Sequence, residues 1–162
     1  MKRALLQDAR GGLYVEALGG LTFLFVSAFA VAQLTDGIAH QLLVRRAASV
    51  AVRAAVVVLP DDGRHYGDPR QRTVDKPVEA RARVIEDAAR AVLRGSPSVA
   101  ATRVSLAGDA GPNGAITATV EADYACPVPV VQLLCGSRHT LTLRASATLP
   151  SQYAPYRHRQ GG

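Results

Sequence analysis

Arg10-Gly-Gly-Leu-Tyr-Val-Glu-Ala-Leu-Gly-Gly-Leu-Thr-Phe-Leu-Phe-Val-Ser-Ala-Phe-Ala-Val-Ala-Gln-Leu34 decides how the rest of the chain is read. No charged side chain occurs between Ala17 and Thr35. A helix over those roughly 19 residues, at about 1.5 Å each, spans close to the ~30 Å hydrocarbon core of a bilayer. The expected element is a transmembrane helix over 12–35. One charge stands near its start, Glu16. A carboxylate costs about 2.5–3.5 kcal/mol at mid-membrane on insertion scales, and less near the interface. Glu16 is therefore a candidate functional residue that needs a partner.

Before this stretch, residues 1–11 form a short basic leader, with Lys2, Arg3 and Arg10 against Asp8. Positive charge ahead of an apolar helix holds that end on the cytoplasmic side. Arg45, Arg46 and Arg53 beyond the helix act against this rule, so orientation rests partly on the cysteines. After the span, residues 36–59 read as an amphipathic continuation of the same helix. Gly37 is a soft spot, costing about 1 kcal/mol against Ala. Ile38, Leu42, Ala48, Ala51, Ala55 and Val58 recur at roughly three- and four-residue spacing, with Arg45, Arg46, Ser49 and Arg53 between them. Leu59-Pro60-Asp61-Asp62-Gly63 ends the helix.

Residues 60–76 read as a loop. Asp61, Asp62 and Asp68 there match no calcium-loop spacing. Residues 77–150 read as a small α/β domain. Pro77 to Arg94 is a second helix, with Val78, Ala82, Ile85, Ala89 and Val92 as its apolar stripe and Gly95 ending it. Thr102 to Ala107 is a short strand, and Gly108 to Gly114 is a turn. Ile116, Ala118, Val120, Ala122 and Tyr124 alternate with Thr117, Thr119, Glu121 and Asp123, a strand with one wet face. Leu141, Leu143, Ala145, Ala147 and Leu149 alternate with polar residues in the same way. Pro127 and Pro129 make the stretch between Cys126 and Cys135 a loop or crossover. Residues 151–162 have no period and read as a flexible tail. The expected fold class is α+β: a long transmembrane and amphipathic helix, then one helix on a three-stranded antiparallel sheet.

The net charge of +6 rests almost wholly on arginine, since Lys2 and Lys76 are the only lysines. These arginines fall singly along helices and at both termini, without interleaved aromatics, which argues against nucleic acid as a partner. The two cysteines, Cys126 and Cys135, lie close in sequence beyond a membrane helix. They read as a disulfide in an oxidising compartment; the alternative is two free thiols in a cytoplasmic domain.

Chemistry-bearing motifs are scarce. His40, His65, His139 and His158 are scattered, none with a second ligand at metal spacing, and each reads as solvated or hydrogen-bonded. There is no nucleophile elbow, phosphate loop or dinucleotide fingerprint. Cys126 and Cys135 are too far apart for a Cys-x-x-Cys redox motif. No enzyme activity, metal or cofactor is expected.

The specific signal is the N-terminal junction. Gly11 is followed by Gly12-Leu13-Tyr14-Val15-Glu16 and then the apolar helix. This resembles the processing site of type IV pilin-like proteins, in which a membrane peptidase cuts after a glycine on the cytoplasmic face. The mature chain then carries a glutamate as its fifth residue, and counting from Gly12, Glu16 is fifth. A new α-amino group at Gly12 can pair with the carboxylate of a neighbouring helix, which removes two charges from lipid at once. The same pairing sets the axial register between subunits.

The apolar helix running into Arg45-Arg-Ala-Ala-Ser-Val-Ala-Val-Arg53 looks like the TadE/TadG family of tight-adherence (Flp) pilus proteins. Leu143-Arg-Ala-Ser-Ala-Thr-Leu-Pro150 is similar to the closing strand of such proteins. Ala17 stands where the family often has Phe or Tyr, and Gly19-Gly20 where many members carry a proline. The resemblance implies a minor pilin or pseudopilin: single-pass in the cytoplasmic membrane, processed by a prepilin peptidase, with its small domain outside the cytoplasm. Its implied partners are other pilin or pseudopilin subunits, met through the N-terminal helix.

Two other readings stand beside it. Ala30-Val31-Ala32 is a small-x-small site, as signal peptidase requires, which would make this a secreted binding domain. A plain membrane-anchored subunit of a secretion system would keep the helix and need no cut at Gly11.

Overall fold

The computed structural model describes residues 9–61, 74, 77–111, 113–126 and 140–151. Most of the leader, most of the 60–76 loop, Cys135 with the crossover before it, and the tail from 152 lie outside the described residues. Five elements follow one another: α1 (Ala9–Val58), α2 (Glu79–Leu93), β1 (Val99–Gly108), β2 (Ala115–Ala125) and β3 (Thr140–Pro150). The protein is α+β, a long N-terminal apolar helix joined to a small domain of one helix and a three-stranded antiparallel sheet.

α1 is a single helix of 50 residues that passes through Gly37 without a break. Its two halves meet different surroundings. No residue from Tyr14 to Ala32 is buried. From Gln33 onward one face is covered by β2, β3 and α2. That face carries Gln33, His40, Val44, Ala47, Ala48, Ala51, Val52, Ala55 and Val58. The steps of three, four and seven are those of one stripe on a 3.6-residue helix. Ala48, Ala51, Ala55 and Val58 lie in it as the spacing predicts, whereas Ile38 and Leu42 are more than half exposed. The physical reason is phase. Leu42 to Ala48 is a step of six, and six residues turn a helix about 120° away from registry.

The sheet has the order β1-β2-β3 with every pair antiparallel. The inward face of β2, from Ile116 through Ala118, Val120 and Ala122 to Tyr124, is buried along its whole length. Leu143 and Ala145 of β3 join it, with Ala147 and Leu149 packed at the margin. Leu141, on the same face by alternation, is exposed. The outer face is polar and paired across strands: Thr117 with Thr148 at 2.8 Å, Thr142 donating to Asp123 at 2.9 Å, and Arg144 beside Glu121 at 3.5 Å.

The β1–β2 turn depends on two glycines. Gly108 has φ +115°, and a Cβ there would meet the Ala115 carbonyl oxygen at 2.1 Å. A Cβ on Gly114 would come within 2.3 Å of the Asp109 carbonyl oxygen. Asp109 accepts a hydrogen bond from the Gly111 N–H at 2.8 Å, and Ser151 ties the end of β3 to the same turn through the carbonyls of Gly114 and Ala110, each at 2.8 Å. Cys126, directly after β2, is buried and disulfide-bonded.

α2 starts after Pro77 and buries Arg81, Ile85, Ala89 and Leu93. Val78 precedes the helix and is exposed, and Val92 is only partly covered. Arg81 is fully buried and reaches the end of α1. Its guanidinium donates to the carbonyl oxygens of Val58, of Leu59 at 3.2 Å and of Asp61 at 3.4 Å. The last carbonyls of a helix lack intrahelical partners and carry the negative end of its dipole. Arg81 satisfies both needs and fixes where α1 stops against α2.

Removing Arg81 leaves several buried acceptors unsatisfied at about 1–3 kcal/mol each. R81A is expected to lower the domain's thermal midpoint in detergent, read by circular dichroism, by far more than R83A, whose exposed pair with Glu79 is worth ~0.5 kcal/mol. R81K should recover only part of the loss, because a single ammonium lacks the planar fork that reaches three carbonyls.

Candidate functional site

Of the candidate site residues from the sequence, Gly11, Gly12 and Glu16 fall in the N-terminal half of α1. The Gly11–Gly12 peptide lies within the helix. A Cβ on Gly12 would meet nothing within 4 Å, and Glu16 is exposed. Gly12 and Glu16 are four residues apart, hence on one face of α1. Around and beyond them the surface is apolar: Tyr14, Val15, Leu18, Leu21, Phe23, Leu24, Phe25 and Phe29 are all about half or more exposed. By length and composition α1 is a helix able to cross a membrane, near the N-terminus of the chain.

Where the apolar half ends, a polar cluster joins α1 to the sheet. Gln33, Asp36 and His40 project from one side of the helix toward Tyr124, the last inward residue of β2. The Tyr124 hydroxyl donates to Asp36 Oδ2 at 2.5 Å and accepts from Gln33 Nε2 at 2.8 Å. Its ring lies 4.8 Å from that of His40, centroid to centroid. His40 Nδ1 sits 2.8 Å from the Asp36 carbonyl oxygen and 3.5 Å from Asp36 Oδ1. Gln33 Oε1 is buried and has no hydrogen-bond partner among the described residues. One turn above, Gln41 Nε2 donates to the Arg144 carbonyl oxygen of β3 at 3.0 Å.

Burial pushes the Tyr124 phenol up to about 12, and the hydrogen bond to Asp36 and its negative charge push the same way; the bond from Gln33 opposes them. The neutral phenol is thus the form the fold holds, a donor to one side and an acceptor to the other. The cluster acts as a strut that seats the sheet on the helix.

Among the described residues no group of three His, Cys, Asp or Glu could hold a metal ion. A groove of about 260 Å³ between α2 and β1 is lined by Pro77, Ala82, Ile85, Glu86, Val104, Ser105 and Leu106. Its one charged group, Glu86, is already paired with Arg90 at 2.8 Å.

The structure keeps Gly11, Gly12 and Glu16 on the free helix, and places Cys126 at the far end of β2 from the β1–β2 turn. Cys135 lies outside the described residues. Sequence reasoning missed the cluster. The signal was the Gln33-x-x-Asp36-x-x-x-His40 spacing, which puts three polar groups on one helix side just past an apolar run, and a tyrosine closing the inward face of β2. Arg81 carried no such signal. No protein-family model, curated protein or solved structure matches this chain.

The raised phenol has a defined consequence. Below pH 10 the unfolded and folded chains both hold the Tyr124 proton. Between about 10 and about 12 only the folded chain does, so stability falls as pH rises through that window. Spectrophotometric titration of the native protein is expected to show one of its five tyrosines ionising last, near pH 12. Y124F should remove that step and destabilise the domain by about 1–3 kcal/mol at neutral pH, as the Gln33 donor and Asp36 acceptor lose their partner.

Proposed function

We propose that this chain is a structural and assembly subunit of a tight-adherence type IV pilus, a minor pilin or pseudopilin. In this reading it is not an enzyme. It is a single-pass protein of the cytoplasmic membrane, with its sheet domain outside the cytoplasm. A prepilin peptidase cuts between Gly11 and Gly12, and other pilin-like helices pack against the apolar half of α1.

The observation that carries the reading is the uncovered half of α1: apolar on every side, with Glu16 as its one carboxylate. A helix of this kind needs either lipid or other helices around it. A carboxylate within it needs a positive partner. The α-amino group released at Gly12 supplies that partner from a neighbouring subunit. The two glycines are compatible with the cut, since each weakens the helix by about 1 kcal/mol against Ala and so lowers the cost of unwinding α1 there.

One observation favours the secreted alternative. The first buried residue of α1 and its first hydrogen bond to the domain are at Gln33, directly after Ala30-Val31-Ala32. A signal peptidase cut there would leave the hydrogen bonds of Gln33, Asp36 and Gln41 to the sheet in place.

The mature N-terminus separates these readings. Protein recovered from membranes is expected to begin at Gly12; a start at Gln33 would make it a secreted domain, and an intact Met1 a plain anchor. E16A is expected to remain in the membrane and to disappear from sheared pilus fractions. Recovery of E16A in those fractions at the level of the unchanged protein would refute the pairing role.

A further inference from the structure

Four apolar side chains lie uncovered at the base of the domain, beyond the apolar half of α1. Leu34, Ile38 and Leu42 follow one another at four-residue steps along the helix, 66, 56 and 57 % exposed. Leu141, at the start of β3, is 49 % exposed. The register puts it level with them. Leu141 pairs with Tyr124, which is bonded to Gln33 and Asp36, and three residues further along β3 the Arg144 carbonyl accepts from Gln41. The same side of α1 then turns basic. Arg45 and Arg46 are exposed, and neither has an ion-pair partner among the described residues.

Axial distance relates these groups to a bilayer. With Glu16 at the inner boundary, a ~30 Å hydrocarbon core ends near Asp36, some 20 residues on at about 1.5 Å each. Ile38 then lies roughly 3 Å beyond that boundary, Leu42 roughly 9 Å and Arg46 roughly 15 Å. Helical side chains lean toward the helix N-terminus, here toward the membrane, and arginine keeps its apolar stem low while its head reaches phosphate. The headgroup layer adds about 5–7 Å on each side of the core. Leu34 thus lies at the outer edge of the core and Ile38 in the interfacial layer, while Leu42 and the two arginines, rooted above that layer, reach down to it by this lean. The strut agrees with this placement: Gln33 and Asp36 are both bonded by the Tyr124 hydroxyl at the level where water thins out.

We infer that the base of the domain is a lipid-binding surface, with Leu34, Ile38, Leu42 and Leu141 seated among the headgroups of the outer leaflet and Arg45 and Arg46 on anionic phosphates. The domain rests on the membrane instead of standing clear of it on a stalk. This rests on the reading of α1 as a membrane span. It is continuous with the apolar face of that span and complementary in charge to an acidic lipid surface.

The test uses the full chain reconstituted in phosphatidylcholine–phosphatidylglycerol vesicles. The protein has no tryptophan, so each introduced one is a sole reporter. I38W and L141W probe the base, V57W the exposed membrane-distal helix surface, and F23W the span. Quenching by lipids brominated on their acyl chains is compared with quenching by aqueous acrylamide. I38W and L141W are expected to be shielded from acrylamide about threefold or more relative to V57W, and to gain quenching by brominated lipid. R45Q combined with R46Q should reduce that shielding, and vesicles of phosphatidylcholine alone should do the same. Acrylamide access at I38W and L141W equal to that at V57W, with F23W still quenched by brominated lipid, would overturn the proposal and leave the span intact. Loss of quenching at F23W would overturn the span and the proposal together. Shielding that vanishes on dilution with excess lipid would mean that a second copy covers the base, and would also overturn it.

Discussion

One helix serving two environments is the constraint on which this structure depends. α1 runs unbroken for 50 residues, with no buried residue from Tyr14 to Ala32 and one side covered from Gln33 onward. A backbone in lipid must bond to itself, which only a helix or a closed barrel achieves. A backbone against a sheet is free of that demand, yet α1 continues helical because the alanines, leucines and arginines of its second half favour the helix and its buried stripe of Ala and Val packs on the domain, which offsets the weaker propensity of its valines. The domain is therefore built on an element whose direction the apolar half has already set.

The covering side of α1 is made of small residues. Ala47, Ala48, Ala51 and Ala55 share one core with Ala118, Ala122 and Ala145 of the sheet, among valines and a few larger side chains. Small side chains let backbones approach closely, so contact is made by many short-range interactions, each worth little alone. Such a core buries little apolar area per residue, and directional contacts matter more. Two of them sit at opposite ends of the covered face. Arg81 holds the C-terminal carbonyls of α1 against α2, and Tyr124 holds Gln33 and Asp36 against the sheet. Between these ends the stripe can slide only by breaking one of them.

The placement of the Tyr124 cluster links fold to proposed function. It lies where the charge-free run that begins at Ala17 ends, at Asp36, the first charged residue of α1 after Glu16. A polar group there, if unpaired, would be costly whether the neighbour is lipid or protein. Bonded to one another, these groups instead fix the angle at which the domain leaves the helix. In a filament that angle sets which faces subunits present; at a membrane it sets which face the domain turns to lipid.

Much of this was legible in the chain. The charge-free run from Ala17 to Thr35, the alternation from Ile116 to Tyr124 and the glycines of the β1–β2 turn each rest on local periodicity or backbone freedom, which a sequence states directly. So the membrane-competent helix, the strands and their one-sided burial were determined by sequence alone. Gly11, Gly12 and Glu16 were likewise visible as a pattern, and folding adds only that all three lie in α1 with Gly12 and Glu16 uncovered. The phase of the second half of α1 was decided by tertiary structure: His40 and Val44 face inward, and Ile38 and Leu42 outward, because the sheet docks where Tyr124 finds Gln33 and Asp36. Arg81 belongs to the same class, an exposed-looking charge on an amphipathic helix until the end of α1 is laid across it. Pairings between residues 20 to 91 positions apart leave no periodic trace, because they depend on where two elements meet and not on the pattern of either one.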